Sequence, residues 1–161
     1  MGRGCTAGHG MFRGTHQYLV DDKGRVAIPA RYREVLSGLQ DERLVVTRFR
    51  RRGRPCLDVY PLSLWQRFEE KVATEKRFDR KRATFEAYYI GAAHDVQLDA
   101  QGRMLIPPTL REYAGIGREV MFVGATDKFR IWDKDVYHQV DRGDEKDIFE
   151  DNPDLLDDLG L

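Results

Sequence analysis

The sequence predicts an α+β protein, mainly β with short helices, built from tandem β-β-α-β-β units with flanking helices. Three observations predict it. Residues 16–34 return 78 positions later as residues 94–112, with eight identical pairs: His16/His94, Asp21/Asp99, Gly24/Gly102, Arg25/Arg103, Ile28/Ile106, Pro29/Pro107, Arg33/Arg111 and Glu34/Glu112. Each copy carries Asp-x-x-Gly-Arg, a short apolar run and Ile-Pro, which is turn, strand and helix start in that order. In residues 61–90 and again near 133–140, the apolar residues fall at helical spacing. A duplicated unit implies two equivalent sites related by pseudo-symmetry.

The elements follow in order. Residues 13–20 read as a strand with Tyr18 and Val20 on one face. Asp21 to Gly24 is a turn, since Asp bonds its own backbone and Gly supplies positive φ; Arg25 to Ile28 returns, closing a hairpin. Pro29 suits a first helical turn, and 30–37 reads as a helix with Tyr32, Val35 and Leu36 on one side. Leu44 to Val46 and Leu57 to Tyr60 are two further strands. The second copy repeats this as strand 92–98, turn, strand 103–106, helix 108–114, and strands 119–124 and 129–132. Between the copies 61–90 reads as helical, with a capping box at Ser63-Leu64-Trp65-Gln66, a Trp65/Phe68/Val72 face and a break near Thr74 to Arg77. A last helix covers about 133–140, and the acidic segment beyond Asp141 reads as a flexible tail with at most a brief helix. The resulting division is a disordered extension 1–11, a first unit 12–62, a helical linker 63–90, a second unit 91–134, and a C-terminal helix and tail 135–161.

Composition narrows the class. With 161 residues and 41% hydrophobic content the chain can bury a core, and no run approaches membrane-spanning length. Residues 1–10 hold no apolar stretch of the kind a secretory signal needs, and Met11 reads as the native start. Cys5 and Cys56 are the only cysteines, which argues against a disulfide scaffold and for a reducing cytoplasm. The net charge of zero conceals polarity: residues 1–90 hold 19 Lys/Arg against 11 Asp/Glu, and residues 91–161 hold 8 against 16. Such asymmetry fits either a polyanion partner with a solvating tail or two ordinary solvated faces.

The candidate chemistry sits in the turns. Asp21 and Gly24, with Asp99 and Gly102, frame one arginine per unit, Arg25 and Arg103. That guanidinium either pairs with phosphate or guanine, or is bridged by its aspartate to hold the turn; the two roles are compatible. An aspartic-protease pair is excluded, because neither aspartate is followed by Thr/Ser-Gly and the neighbouring arginines favour the charged form. The four histidines and two cysteines show no metal-ligand spacing, and no phosphate-cradling glycine loop or nucleophile elbow is present, so no cofactor, catalytic residue or small-molecule substrate is expected. His16 and His94 share a repeat position at a strand start, which suits a structural role. Arg48-Phe49-Arg50-Arg51-Arg52-Gly53-Arg54 carries five arginines in seven residues, a loop that either grips phosphate or keeps an exposed hairpin soluble.

These motifs resemble the MraZ family of bacterial proteins with two tandem SpoVT/AbrB-like units. The residues that carry the resemblance are Met11-Phe12-Arg13-Gly14, Asp21-x-Lys23-Gly24-Arg25, Ile28 to Glu34, Gly102 to Pro107 and Glu119 to Gly124, and it runs from about Met11 to Tyr137. It implies a pseudo-symmetric swapped-hairpin barrel, ring-like homo-oligomers and association with the nucleoid. It further implies repression through short tandem repeats in double-stranded DNA ahead of the protein's own division and cell-wall gene cluster. The family's Asp-x-x-x-Arg motif maps onto Asp21/Arg25 and Asp99/Arg103; the second unit departs with Gln101 for Lys23 and Thr109 for Arg31. On this reading Arg13, Lys23, Arg25, Arg31 and Arg33 form one basic surface, with Arg25 entering the groove and Lys23 and Arg13 on phosphates. Arg33 is the weaker choice, since Glu34 offers it an ion pair. Arg103 is the second unit's DNA contact. The aromatic helices are expected at subunit interfaces, so that Trp65→Ala disrupts assembly. The rival class is an antitoxin-like interaction module whose acidic tail engages a partner protein.

Overall fold

The computed structural model describes residues 11–75 and 79–161. All of the expected N-terminal extension but Met11, and most of the expected break after Thr74, lie outside them. The first unit contributes β1 (Thr15–Leu19), β2 (Arg25–Ala27), α1 (Ala30–Gly38), β3 (Arg43–Arg51) and β4 (Arg54–Pro61). Helices α2 (Leu62–Thr74) and α3 (Arg80–Tyr89) follow. The second unit contributes β5 (His94–Gln97), β6 (Arg103–Leu105), α4 (Pro108–Tyr113), β7 (Glu119–Gly124) and β8 (Phe129–Asp133). The chain ends in α5 (Lys134–Lys146), a π-helical turn (Asp147–Asp151) and α6 (Asp154–Asp158).

The units exchange strands. One six-stranded antiparallel sheet runs β1-β7-β8-β4-β3-β5, and β2 pairs with β6 in a separate two-stranded ribbon. Thus β1 of the first unit edges the second unit's β7, with Thr15 opposite Val123, while β5 edges the first unit's β3, with Leu44 opposite Val96. The pseudo-twofold axis passes between β4 and β8, where Leu57, Asp58 and Val59 face Ile131, Arg130 and Phe129. Two sequence expectations change here. The Asp21–Gly24 turn forms, with the Gly24 N–H donating to the Asp21 carbonyl at 3.0 Å, but β1 and β2 do not close a hairpin with each other. Nor is there a closed barrel among the described residues, because the ribbon is not hydrogen-bonded into the sheet.

Side-chain alternation explains the layering. Leu44, Val46, Leu57, Val59, Val120, Phe122, Phe129 and Ile131 point to one face of the sheet. There they pack under the ribbon (Val26, Met104), α1 (Tyr32, Leu36) and α4 (Leu110), all buried. Residues one position out of phase point to the other face, where two smaller clusters lie. Val45, Tyr60, Trp65 and Tyr89 sit beneath α2 and α3; Cys56, Met121, Trp132 and Val140 sit beneath α5. A sheet buried on both faces reads as continuous apolar runs, as Leu44-Val45-Val46 does. Trp65 is 3% exposed and packs on Tyr60 at a ring separation of 5.0 Å, so its partner is this chain's own core rather than a neighbouring subunit.

Two helix boundaries differ from the sequence reading for identifiable reasons. Helix α2 begins at Leu62 without a side-chain cap from Ser63; the buried Asp41 accepts the Ser63 N–H at 2.9 Å instead. The same carboxylate takes the Arg43 N–H at 3.1 Å, so one residue caps a helix and starts a strand. Beyond Asp141 the chain is not an irregular tail: α5 continues to Lys146, because Val136, Tyr137 and Val140 lie on a face that the sheet buries.

Candidate nucleic-acid interface

Each Asp-x-x-Gly-Arg turn is held by its own carboxylate. Asp21 Oδ1 accepts the backbone N–H of Lys23 and of Arg25, both at 2.9 Å, while Oδ2 accepts Arg25 Nε at 3.0 Å. Asp99 repeats the arrangement on Gln101, Arg103 and Arg103 Nε, all at 2.9 Å. The backbone N–H groups of Arg25 and Arg103, joined by the guanidinium pairings, hold the Asp21 and Asp99 carboxyls below the usual carboxylate range. Gly24 and Gly102 take φ of 85° and 72°, which L side chains rarely adopt. The bridging reading of the turn therefore holds: the aspartate stabilises the turn and fixes the direction of its arginine.

The ribbon brings the two arginines onto one surface. Arg25 lies opposite Leu105, Val26 opposite Met104 and Ala27 opposite Arg103. Since Val26 and Met104 point into the core, Arg25, Ala27, Arg103 and Leu105 point outward. Both arginine side chains keep about a third of their surface in solvent, and Leu105 is 48% exposed. Arg103 Nη1 also stands 3.8 Å from Asp21 Oδ2, so guanidinium groups from both units share one carboxylate across the pseudo-axis.

The other basic residues separate into three places. Lys23 is exposed at the first turn's tip. Arg31 and Arg33 begin α1, which lies beside the second unit's turn: a Cβ at Gly102 would stand 3.0 Å from Arg33 Cδ. Arg111 of α4 reciprocates over Gly24, at 3.3 Å. Arg33 therefore packs against the opposite turn and makes no ion pair with Glu34. Arg13 precedes β1 at its far end, where the Phe12 N–H donates to the Thr126 carbonyl at 2.7 Å. Eight residues of extended chain put it about 26 Å from Asp21. The two histidines are not equivalent either: His16 packs edge-on against Tyr32, whereas His94 is exposed with Nδ1 2.9 Å from the Ala92 carbonyl.

Sequence reasoning missed three sets of contacts away from the ribbon. Asp58 is 1% exposed and accepts Arg130 Nε at 2.8 Å and the Tyr89 hydroxyl at 2.5 Å. On the β3–β4 tip, Arg51 Nη2 lies 2.9 Å from Asp144 Oδ1, and Arg52 Nη1 donates to Asp147 Oδ2 at 2.7 Å. Arg48 and Arg50 leave β3 on the opposite face. There Arg48 stacks 4.3 Å over the Tyr88 ring, and Arg50 Nε donates to the Tyr113 hydroxyl at 3.0 Å. The opposite charges of residues 48–54 and 141–161 were the available signal for the tip contact. Among the described residues no group of three or more His, Cys, Asp or Glu is placed to hold a metal ion, and no helix is long and apolar enough to cross a membrane.

Exchanged outer strands, a pseudo-twofold sheet and a ribbon with one latched arginine per unit define the class: a tandem-unit, mainly β AbrB-like protein. The family model described as "MraZ protein, putative antitoxin-like" matches residues 11–87 and 89–158, and the chain belongs to the MraZ family. It is 40% identical over 134 residues to the "Transcriptional regulator MraZ" of Pseudomonas putida, covering 83% of this chain and 87% of that one. It is 42% identical over 127 residues to the protein of that name from Thioalkalivibrio sulfidiphilus, covering 79% and 83%. The Acidithiobacillus ferrooxidans protein of that name is 40% identical over 125 residues, covering 76% and 83%. These relatives bear the name of a regulator, not of an enzyme.

Proposed function

We propose that this protein is a sequence-specific DNA-binding transcriptional regulator. The observation that carries the reading is the β2–β6 ribbon, which presents Arg25 and Arg103 outward on a support of carboxylate-latched turns. A two-stranded ribbon fits the major groove, about 12 Å wide, where arginine makes bidentate contacts to guanine. Arg25 and Arg103 read base edges; Lys23 and Arg31 contact the flanking phosphates; Arg13, at the far end of β1, reaches a more distant phosphate. Asp21, Gly24, Asp99 and Gly102 set the arginine geometry. Latching the guanidinium in the free protein removes rotamer freedom that binding would otherwise have to remove.

The targets are short tandem repeats upstream of the protein's own division and cell-wall gene cluster, and the effect is repression in the cytoplasm, at the nucleoid. One ribbon holds DNA weakly, and a ring-like homo-oligomer that repeats it adds avidity where repeat spacing matches module spacing. The rival reading, an interaction module with an acidic tail offered to a partner protein, is disfavoured because Asp144 and Asp147 are engaged by Arg51 and Arg52.

The test is fluorescence anisotropy on DNA from upstream of the gene and on a scrambled duplex, over a range of salt, with wild type and Arg25→Ala. Selective binding that weakens with salt is expected, with a loss of about 5- to 150-fold in the variant, the worth of one bidentate arginine contact. Equal affinity for both duplexes would overturn the reading.

A further inference from the structure

We propose that the β3–β4 tip is a second phosphate-binding site for the DNA backbone, held closed in the free protein by carboxylates of the chain's own C-terminal segment. This rests on the DNA-binding reading and adds a site and a control to it. The tip is a tight turn, with Arg52 at φ 52° and Gly53 at φ 73°, and it places Arg51 and Arg52 on the side of the sheet that α5 covers. Asp144 Oδ1 stands 2.9 Å from Arg51 Nη2 and 3.5 Å from Arg52 Nη1, so one carboxylate bridges both guanidinium groups. Asp147 Oδ2 accepts Arg52 Nη1 at 2.7 Å. Two guanidinium groups converging on shared oxygens is the arrangement that binds a phosphodiester, with carboxylate oxygens standing where phosphate oxygens would.

The occupant is built to fit. Gly143 lies so close to Arg52 that a Cβ there would stand 2.7 Å from Nε; glycine at this position lets the helix backbone approach the arginine. Below Gly143 the helix is anchored by buried Val140, but beyond it the π-helical turn carries no buried residue. Asp144 and Asp147 thus sit where a helix anchored in the core gives way to a segment held by charge. The paired side chains are 28–43% exposed, so water and salt screen the contacts and a denser anion can displace them. The tip lies some eight strand residues from Arg43, about 26 Å, and Arg43 starts β3 beside the second turn. It is therefore separate from the ribbon, which covers the other face of the sheet, and the backbone it touches lies well beyond the bases that the ribbon reads. DNA held by the ribbon raises the local concentration of phosphate at the tip, and the acidic segment yields.

Three full-length variants test this on the scrambled duplex across salt concentration. Asp144→Asn/Asp147→Asn opens the tip. Asp154→Asn/Asp157→Asn removes the same charge from residues that make no ion pair among the described residues. The third adds Arg51→Gln/Arg52→Gln to the first. The first variant is expected to bind about 2- to 30-fold more tightly, the worth of two exposed ion pairs no longer competing. Its log–log salt dependence should steepen by about 1.8, for two further phosphates neutralised. The second should stay within twofold of wild type, and the third should lose both gains. Equal tightening by the first two variants would reduce the effect to net charge and overturn the site. So would an unchanged salt slope in the first, or a gain that survives loss of both arginines. Should selective, Arg25-dependent binding persist while these variants are silent, the tip site alone falls; should wild type bind neither duplex selectively, the ribbon reading falls instead.

Discussion

Asp58→Ala should cost this protein about 3 kcal/mol of stability. Asp58 and Arg130 are cross-strand partners at the pseudo-twofold axis, and the carboxylate also accepts the Tyr89 hydroxyl. Burial opposes the Arg130 charge, but the carboxylate 2.8 Å away more than offsets it, holding the guanidinium above its ordinary value. Removing one member of a buried pair costs about 3–5 kcal/mol because the other charge stays behind. The Arg130 side chain is 18% exposed, so water reaches it in part and the lower end applies. For a chain of this size about 3 kcal/mol lowers the Tm by roughly 6–12 °C. Calorimetry on Asp58→Ala, Asp58→Asn and Asp58→Leu/Arg130→Met would check it. Asparagine keeps an acceptor and should fall between wild type and alanine, and the apolar pair should lie within about 1 kcal/mol of wild type. An alanine variant less than 1 kcal/mol below wild type, or an apolar pair no better than alanine alone, would refute the argument.

Gly102→Ala should destabilise more than Gly53→Ala. Both glycines sit at φ near 72°, worth about 1–2 kcal/mol to any L residue, but only at Gly102 would the new Cβ press on Arg33. Urea midpoints should show that gap, and adding Arg33→Ala should close it; equal midpoints for the two glycine variants would refute the packing argument. The tip contact should respond to acid. The Arg52 guanidinium holds the Asp147 carboxyl below its ordinary value of about 3.9, so the contact's contribution is present above that pH and is lost as pH falls through the depressed value. Carboxyl carbon NMR should give a midpoint below the ordinary one in wild type and a normal midpoint in Arg52→Gln; identical midpoints would sink the assignment.

Much of the local structure was legible because it is written in short spacings. Asp21-x-x-Gly24-Arg25 specifies a turn whose carboxylate and positive φ need no distant partner, and the second copy confirms the pattern. Which strand pairs with which was not legible from spacing: two near-identical units bury the same faces whether β1 stays at home or crosses to β7. The exchange followed only from the family resemblance. Contacts that bind distant segments left no periodic trace. Asp41 caps a helix that starts 21 residues later, and Arg33 props a turn 69 positions away, so neither could be separated from an ordinary surface charge. The acidic segment reads as a flexible tail because its composition is that of one; the arginines that order part of it lie nearly a hundred residues earlier.

The strand exchange has a consequence for synthesis. When β1 leaves the ribosome its hydrogen-bonding partner does not yet exist, since Leu19 pairs with Glu119. At about 5–20 residues per second, that edge waits some 5–20 s for a neighbour. The first half can form the β3–β4 hairpin meanwhile, but the strands that flank that hairpin, β8 and β5, come from sequence not yet made. This protein acquires its fold as one event near the end of translation, and a nascent chain stalled before residue 119 presents unpaired strands to every other copy on the same message.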